Sequence, residues 1–494
     1  DMKYLLMNFK RILFSFQILI GAVSVYCQQS HSMFFMHYLP ESNLLNPAVP
    51  ITCKWYIGLP ALSSIHFNYA NSSMSYNQLV TPTSTGTSEI DITGTINRLH
   101  WRNYIGTELH IQLFALGYKW EHYSFMFTIT EKNNIPVTYP KKPISLLWDG
   151  NTQFEGEKAG FKGTGIYFNH YREYALSVSK RDREGIYYGI RAKLLFGKLN
   201  LSTISSDVGI FTDETSFALE FNGNVEIRSS LPIVIDYTED QINSISYNDN
   251  IGIRELVLNR KNPGLAFDAG IIYPYTDQIK LSASVLDLGF IWWKSNQNTF
   301  KGSGNFDYDG PLGDSLIDEN YITNLLDSFT DSLDFEIAQE NYINFLPPRF
   351  TGGATYDINK FLTAGIQASA IIHRSKVISS LTLSGQFEPL RNIHLILSYP
   401  LQYYSFNNIG LGMVLGRNPV QFYIISDNAL GLIKPLSARN LNLRFGLNIN
   451  FGCKFKEKDD SKGKGMVEGN CYWIEQGVKR YLSKTVKNKK RRLR

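Results

Sequence analysis

The sequence predicts an all-β chain closed as an antiparallel transmembrane β-barrel of about fourteen to sixteen strands, with long outer loops that carry short helices. Three observations predict it. Leu441, Leu443, Phe445, Leu447, Ile449 and Phe451 alternate with Asn442, Arg444, Gly446, Asn448 and Asn450. A strand sends successive side chains to opposite faces, so this segment has one apolar surface and one wet one. Composition is the second: 43% apolar, 19% charged and 14% aromatic, with 29 Tyr and 31 Phe. That is lean in charge for a cytosolic enzyme and suits strands ringed by aromatic girdles. The third is the rhythm of connections. Short turns at Lys119–His122, His170–Glu173, Pro274–Gln278, Asp357–Lys360, Pro389–Asn392 and Arg417–Pro419 mostly alternate with long loops. Outer-membrane barrels have short periplasmic turns and long extracellular loops.

The chain begins with a secretory pattern, so residues 1–27 are expected to be a cleaved signal peptide. Lys3, Lys10 and Arg11 precede the apolar run Ile12–Val25, and Val25-Tyr26-Cys27 offers a cleavage point. Lipidation of Cys27 is the rival, opposed by Tyr26 at a position that normally holds a small residue. Beyond it no stretch reaches the ~18 consecutive apolar residues of a spanning helix. Residues 28–54 lack periodicity and read as an extended periplasmic or lumenal segment. Residues 55–453 form the barrel, and 454–494 a basic periplasmic tail. This places the protein in the cell outer membrane of a Gram-negative source.

Within the barrel, Tyr56–Tyr69 is the first strand region and 71–97 a polar loop. Leu109–Ala115 and Tyr123–Thr130 make a hairpin. A long connection follows, with a short helix near Pro143–Trp148. Gly163–Asn169 and Tyr174–Ser179 read as two strands. In the next, Tyr188, Ile190, Ala192, Leu194 and Phe196 face away from Arg191 and Lys193. Residues 201–262 are ambiguous, with a short helix at Ile253–Leu258. Leu265–Tyr273 and Ile279–Leu288 form another hairpin before a long excursion. There Tyr321, Ile322, Leu325, Leu326 and Phe329 have helical spacing amid acidic residues, a candidate interaction helix. Seven strands then fill Leu346–Cys453. A large secreted β-sandwich or β-propeller is the competing reading, and the blade repeat that a propeller should show is not present.

Leu45-Asn46-Pro47-Ala48, Tyr56-Ile57-Gly58-Leu59-Pro60, Leu288-Gly289-Phe290-Ile291-Trp292, Leu346-Pro347-Pro348-Arg349-Phe350, Ser426-Asp427-Asn428 and Phe445-Gly446-Leu447-Asn448 carry a resemblance. With them the chain resembles a Bacteroidetes family of uncharacterised outer-membrane barrels, over nearly its whole mature length. More distantly it is similar to fatty-acid-transporter-type barrels and to accessory barrels of type IX secretion. The resemblance implies a fold and a membrane, not an activity.

Catalytic constellations are missing from the pattern. Nine His include no ligand-spaced pair, and no Walker loop, dinucleotide fingerprint or GxSxG elbow occurs. His110, His373 and His394 are expected to be lumenal or rim residues, and no enzyme, metal or cofactor is expected. Closing a barrel sets its first and last strands side by side, so Cys53 and Cys453 are the candidate disulfide, with Cys453–Cys471 and free thiols as alternatives. Asn442, Arg444, Asn448 and Asn450 are expected to face the lumen. The tail from Lys479 on holds nine cations and no acid, more than the chain's formal +5. In a periplasmic compartment that suits anionic lipid, a protein partner or a solvated tail rather than nucleic acid. The expected partners are therefore the outer-membrane bilayer and a periplasmic or outer-membrane protein. Three functions are open: a transporter or channel for small, hydrophobic compounds; an accessory subunit of a secretion or assembly complex; and a barrel enzyme.

Overall fold

A computed structural model describes residues 30–82, 87–215, 218–238, 241–248, 251–308, 334–373, 376–390, 392–402, 408–416 and 418–453. The leader, the helical pattern at Tyr321–Phe329 and the basic tail lie outside the described residues.

The strands close into one antiparallel barrel of fourteen staves. In chain order these are β1 (Trp55–Gly58 and Ile65–Asn71), β2 (Arg102–Trp120), β3 (Tyr123–Pro140), β4 (Gly165–Arg181), β5 (Tyr187–Thr212), β6 (Leu219–Ser230 and Asn262–Pro274) and β7 (Ile279–Trp293 and Gln297–Tyr308). They continue with β8 (Asp334–Ala338, Tyr342–Phe345 and Arg349–Asp357), β9 (Leu362–His373), β10 (Lys376–Leu390), β11 (Ile393–Gln402), β12 (Gly410–Gly416), β13 (Val420–Ser426) and β14 (Asn440–Phe451). β14 pairs with both halves of β1, Trp55 opposite Phe451 and Ile65 opposite Phe445, so no free sheet edge remains at this seam. The seven strands read in Leu346–Cys453 are the last piece of β8 and β9 to β14.

Two sequence readings need correction. His170–Glu173 is no turn: β4 runs unbroken from Gly165 to Arg181, paired with β3 through Arg172–Glu131 and Glu173–Thr130. Three polar residues around Tyr171 mimic a loop in composition, yet the segment holds the period-two alternation, with Glu173 buried inside and Arg172 on the outer face. Likewise β3 continues to Pro140 where a loop from Glu131 is expected, because the polar run Glu131–Asn134 and Pro136 interrupt the alternation that Ile135, Val137 and Tyr139 resume. The ambiguous 201–262 region resolves into the upper half of β5, the upper half of β6, an inserted hairpin (Ile233–Thr238 with Gln241–Tyr247) and the helix Ile253–Val257.

The outer face is apolar in a belt. Leu176, Ile190, Leu194, Phe267, Leu288 and Leu397 each stand about half exposed. Beneath the belt lies a ring that includes Trp55, Trp120, Tyr123, Tyr188 and Tyr273. Apolar staves over an aromatic ring are what a hydrocarbon slab with a polar boundary stabilises. The inner face is the reverse. Asn442, Arg444, Asn448 and Asn450 on β14 are buried at 6% exposure or less.

The lumen is filled from the N-terminal side. Residues 30–51 fold inside the barrel as the short helix His31–Phe34 and the 3-10 turn Pro40–Leu44. Met33, Phe34, Phe35, Met36, Tyr38 and Leu39 pack on Ile396, Val414, Tyr423 and Ile425 of β11–β13. Fully burying side chains of this size stabilises by about 1.5–3 kcal/mol each. Asp427 fixes the plug's start, accepting from the His31 N–H (2.9 Å), the Ser32 N–H (2.8 Å) and Ser32 Oγ (2.6 Å). Arg444 Nε donates to Ser30 Oγ at 3.0 Å. Farther along, Arg191 donates to the Asn43 carbonyl and side-chain oxygens, and Ser284 Oγ to the Leu45 carbonyl at 2.8 Å. Two wall glycines make room: a Cβ on Gly189 would sit 2.1 Å from the Pro47 carbonyl, and one on Gly270 2.0 Å from Asn46 Oδ1.

Candidate functional site: a lumenal cavity over an ionic lattice

The wall strands β3 to β8 project a lattice of charges inward. Lys193 is central, with Nζ 2.7 Å from Asp287, 2.8 Å from Asp268 and 3.7 Å from Glu173. Lys132 bonds Glu173 at 2.7 Å, Arg191 bonds Asp268 at 3.0 Å, and Arg349 lies 3.3 Å from Asp287. A β-bulge in β7 brings Asp287 into this lattice. The register slips between Phe267 and Ala269 of β6, and Asp287 adopts φ 60°, so its backbone N–H reaches Asp268 Oδ1 at 2.7 Å. Charges this deep persist because each carboxylate meets more than one cation. Lys193 is 3% exposed and Asp268 3%. Beside the lattice, Tyr171, Leu195, Ile291, Trp293, Tyr342 and Leu346 form an apolar cluster on the same inner wall.

Toward the end of the barrel away from Cys53 opens a cavity of about 450 Å³. One side is Tyr104 and Glu108 of β2, Pro136 of β3, Tyr167 of β4 and Ile204 of β5. Leu346, Pro347, Pro348 and Arg349 of β8, with Ile371 and His373 of β9 and Ile378 of β10, form the other. Tyr167 and His373 meet across it edge to face, ring centroids 5.3 Å apart. More than half of its lining is aliphatic or aromatic, and the polar remainder includes Glu108, Arg349 and His373 together with Thr107, Ser202 and three Asn side chains. Such a shape and lining bind small, mostly apolar molecules and orient them through a few polar groups. The Pro347-Pro348 pair lies in the wall between Phe345 and Arg349 and has no N–H to donate to the ladder. Ile343 and Phe345 also touch the cavity while standing 49% and 74% exposed outside, so the lining passes from the lumen to the outer face at this break.

Cys53 and Cys453 are joined by a disulfide that ties the start of β1 to the end of β14. His110 is buried on the lumen side and bonds Asn134 at 2.9 Å, and His394 stacks on Tyr38 of the plug at 3.8 Å. Among the described residues no three His, Cys, Asp or Glu side chains converge to hold a metal ion. Asn442, Arg444, Asn448 and Asn450 sit beside the plug rather than at the cavity. Sequence reading missed the cavity and the lattice. Arg191 and Lys193, alternating with the apolar residues of β5, were its one visible trace.

On the plug, outside the spanning strands, burial pushes the Glu41 carboxyl up to about 7. Tyr56 Oη donates to Glu41 Oε1 at 2.7 Å and offsets part of that burial.

Fold and site together define a class: a plugged, fourteen-stranded antiparallel β-barrel with a lipid-facing outer surface. The chain belongs to a family of unknown function, DUF5723, whose profile matches residues 47–427. No curated protein matches it. Among solved structures it is similar to a Pseudomonas aeruginosa FadL homologue, at 11% identity over 87% of this chain and 99% of that one, with a TM-score of 0.36. The Ralstonia pickettii toluene transporter TbuX matches at 8% identity over 83% and 94%, with a TM-score of 0.40. The Pseudomonas putida toluene transporter TodX matches at 8% over 87% and 94%, with a TM-score of 0.36.

Proposed function

We propose that this protein is an outer-membrane channel that takes up small apolar compounds through its lumenal cavity, exported there by the leader at residues 1–27. The observation that carries the reading is the cavity itself: about 450 Å³, lined mainly by Ile, Leu, Pro and Tyr, above the plug and the ion pairs. A water-filled pore for polar solutes would want the opposite lining. The lattice below the cavity stops a ligand from simply falling through, so passage requires either movement of the plug or exit at the wall break beside Pro347 and Pro348.

The test is equilibrium binding of a fluorescent naphthylamine probe to the purified full-length barrel in nonionic detergent. Ile371→Lys puts a charge into the apolar lining and is expected to weaken binding about tenfold or more, through the cost of desolvating it. Equal binding by the variant, or no saturable binding by the natural protein, would refute the reading.

A further inference from the structure

The outer wall carries a second cluster of charge, on the lipid side. On β4 the outward residues alternate with the buried ones, and Leu176, Tyr174, Arg172 and His170 follow one another up that face. Arg172 Nε donates to Glu131 Oε2 at 2.6 Å, and His170 Nε2 lies 2.8 Å from Glu131 Oε1. Next to them β5 bulges at Lys198, where the register with β4 slips between His170 and Tyr171. Lys198 lies within electrostatic range of Arg172, Glu131 and Arg260, all on this outer side, and its Nζ donates to the Asn259 carbonyl at 2.6 Å. The segment covering it is the insertion that splits β6: the helix Ile253–Val257, then Leu258, half exposed, then the exposed Arg260 and Lys261. One strand farther on, Lys294 sits 3.2 Å above the exposed Trp292 ring.

These groups share a level. Tyr171 pairs with Gly197 and Gly197 with Asn262, and Asn262 Oδ1 accepts from the Lys294 N–H, so one cross-strand row runs just above Arg172 and just beneath Lys198, Lys261 and Lys294. The level is also fixed relative to the bilayer. Tyr188 belongs to the lower aromatic ring, and Lys198 lies ten residues above it on the same strand. At ~3.3 Å per residue and a tilt of ~40° that is a height of about 25 Å, the thickness of the apolar band of such barrels. Below the row the outer face is Tyr174, Phe196 and Leu194. Five cations against one carboxylate thus stand about that height above the lower ring, with Trp292 and Leu258 among them and Lys198 itself covered by the insertion at 2% exposure.

We propose that this row binds the phosphate-bearing headgroup of a lipid in the outer leaflet, with its acyl chains on Tyr174, Phe196 and Leu194. Glu131 holds Arg172 in place rather than competing for the anion. The bulge and the insertion bring Lys198 and Arg260 together from different parts of the chain. Each cation near a bilayer surface contributes about 1 kcal/mol toward an anionic lipid, so a site of this composition discriminates by headgroup charge. It is independent of what passes through the lumen.

The test uses full-length protein in nonionic detergent, titrated with phosphatidic acid, with diacylglycerol of the same chains, and with inorganic phosphate, and read by native mass spectrometry. Phosphatidic acid is expected to be retained in preference to diacylglycerol, and inorganic phosphate at equal concentration not to displace it. The pair Arg260→Gln and Lys261→Gln, both exposed and so harmless to folding, is expected to weaken retention about tenfold or more from the two lost charges. Lys198→Gln should weaken it further, and Lys301→Gln, higher on the wall, should leave it unchanged. Equal retention of diacylglycerol, displacement by inorganic phosphate, or natural affinity in the Arg260/Lys261 pair would each overturn the proposal.

Discussion

The two halves of the lumen are filled by different physics. Against β11–β13 the interior is apolar and comes from another part of the chain: Phe34, Phe35, Met36 and Leu39 of the plug on Ile396, Val414 and Ile425. Against β3–β8 it is ionic and belongs to the wall, with Lys193 held by three carboxylates. An apolar filling is non-directional and separable, since it can in principle leave as a unit. An ionic lattice is directional, and removing one member strands the rest. The two fillings meet at Arg191, a member of the lattice that also donates to Asn43 of the plug.

That contrast can be broken most sharply at its rigid side. Lys193→Met leaves Asp268 and Asp287 short of a cation, and uncompensated buried charge costs about 3–5 kcal/mol. The heat-modified shift of the folded barrel on gels should move to a clearly lower temperature. Unchanged heat resistance would show that the lattice is not what holds β3–β8. A smaller effect is expected at the plug's anchor. Asp427→Ala removes the acceptor for the His31 and Ser32 N–H groups and Ser32 Oγ, at about 1–3 kcal/mol for the donors left behind. This should loosen the plug without unfolding the wall: faster proteolysis of residues 30–46 and raised bilayer conductance at unchanged heat resistance. If heat resistance falls as much as in Lys193→Met, the two halves are not separable.

A further expected effect, no larger than that at the plug's anchor, is on pH. The Glu41 carboxyl, pushed up to about 7 by burial, favours its protonated form in the docked plug. Its contribution is complete below the ordinary carboxylate range and is lost as pH rises through about 7, on the order of 3 kcal/mol at most. Proteolysis of the plug should therefore be slower at pH 5 than at pH 8. Glu41→Gln should flatten that difference, and a pH dependence that survives it would assign the effect elsewhere.

How much of this was legible in the sequence follows the same division. The staves from Arg349 to Phe451 could be read because lipid demands one uniformly apolar face, as on Leu441–Phe451. Where polar residues interrupt that face, as Glu131–Asn134 do in β3, the pattern is lost even though Ile135, Val137 and Tyr139 resume it farther up. His170–Glu173 was misread because His170 and Arg172 put charge on an outer face that is apolar on either side, at Tyr174 and Phe168. The cavity joins residues from β2 to β5 with residues from β8 to β10, and no spacing along one strand encodes such a meeting. The inward Gly189 and Gly270 were a readable signal that another backbone lies against them, though not of which one.

The Cys53–Cys453 bond closes what the hydrogen-bond ladder closes, but in a different currency. Its partners lie 400 residues apart, at the two ends of the staves, so the barrel is a covalent hoop as well as a paired sheet. A protease that severs one surface loop opens the hoop without producing two pieces. Only a second cut in another loop, or reduction of the bond, yields fragments that nothing but pairing and packing keeps together. Exposed loops can therefore be long and cleavable without putting the integrity of the wall at the mercy of a single nick.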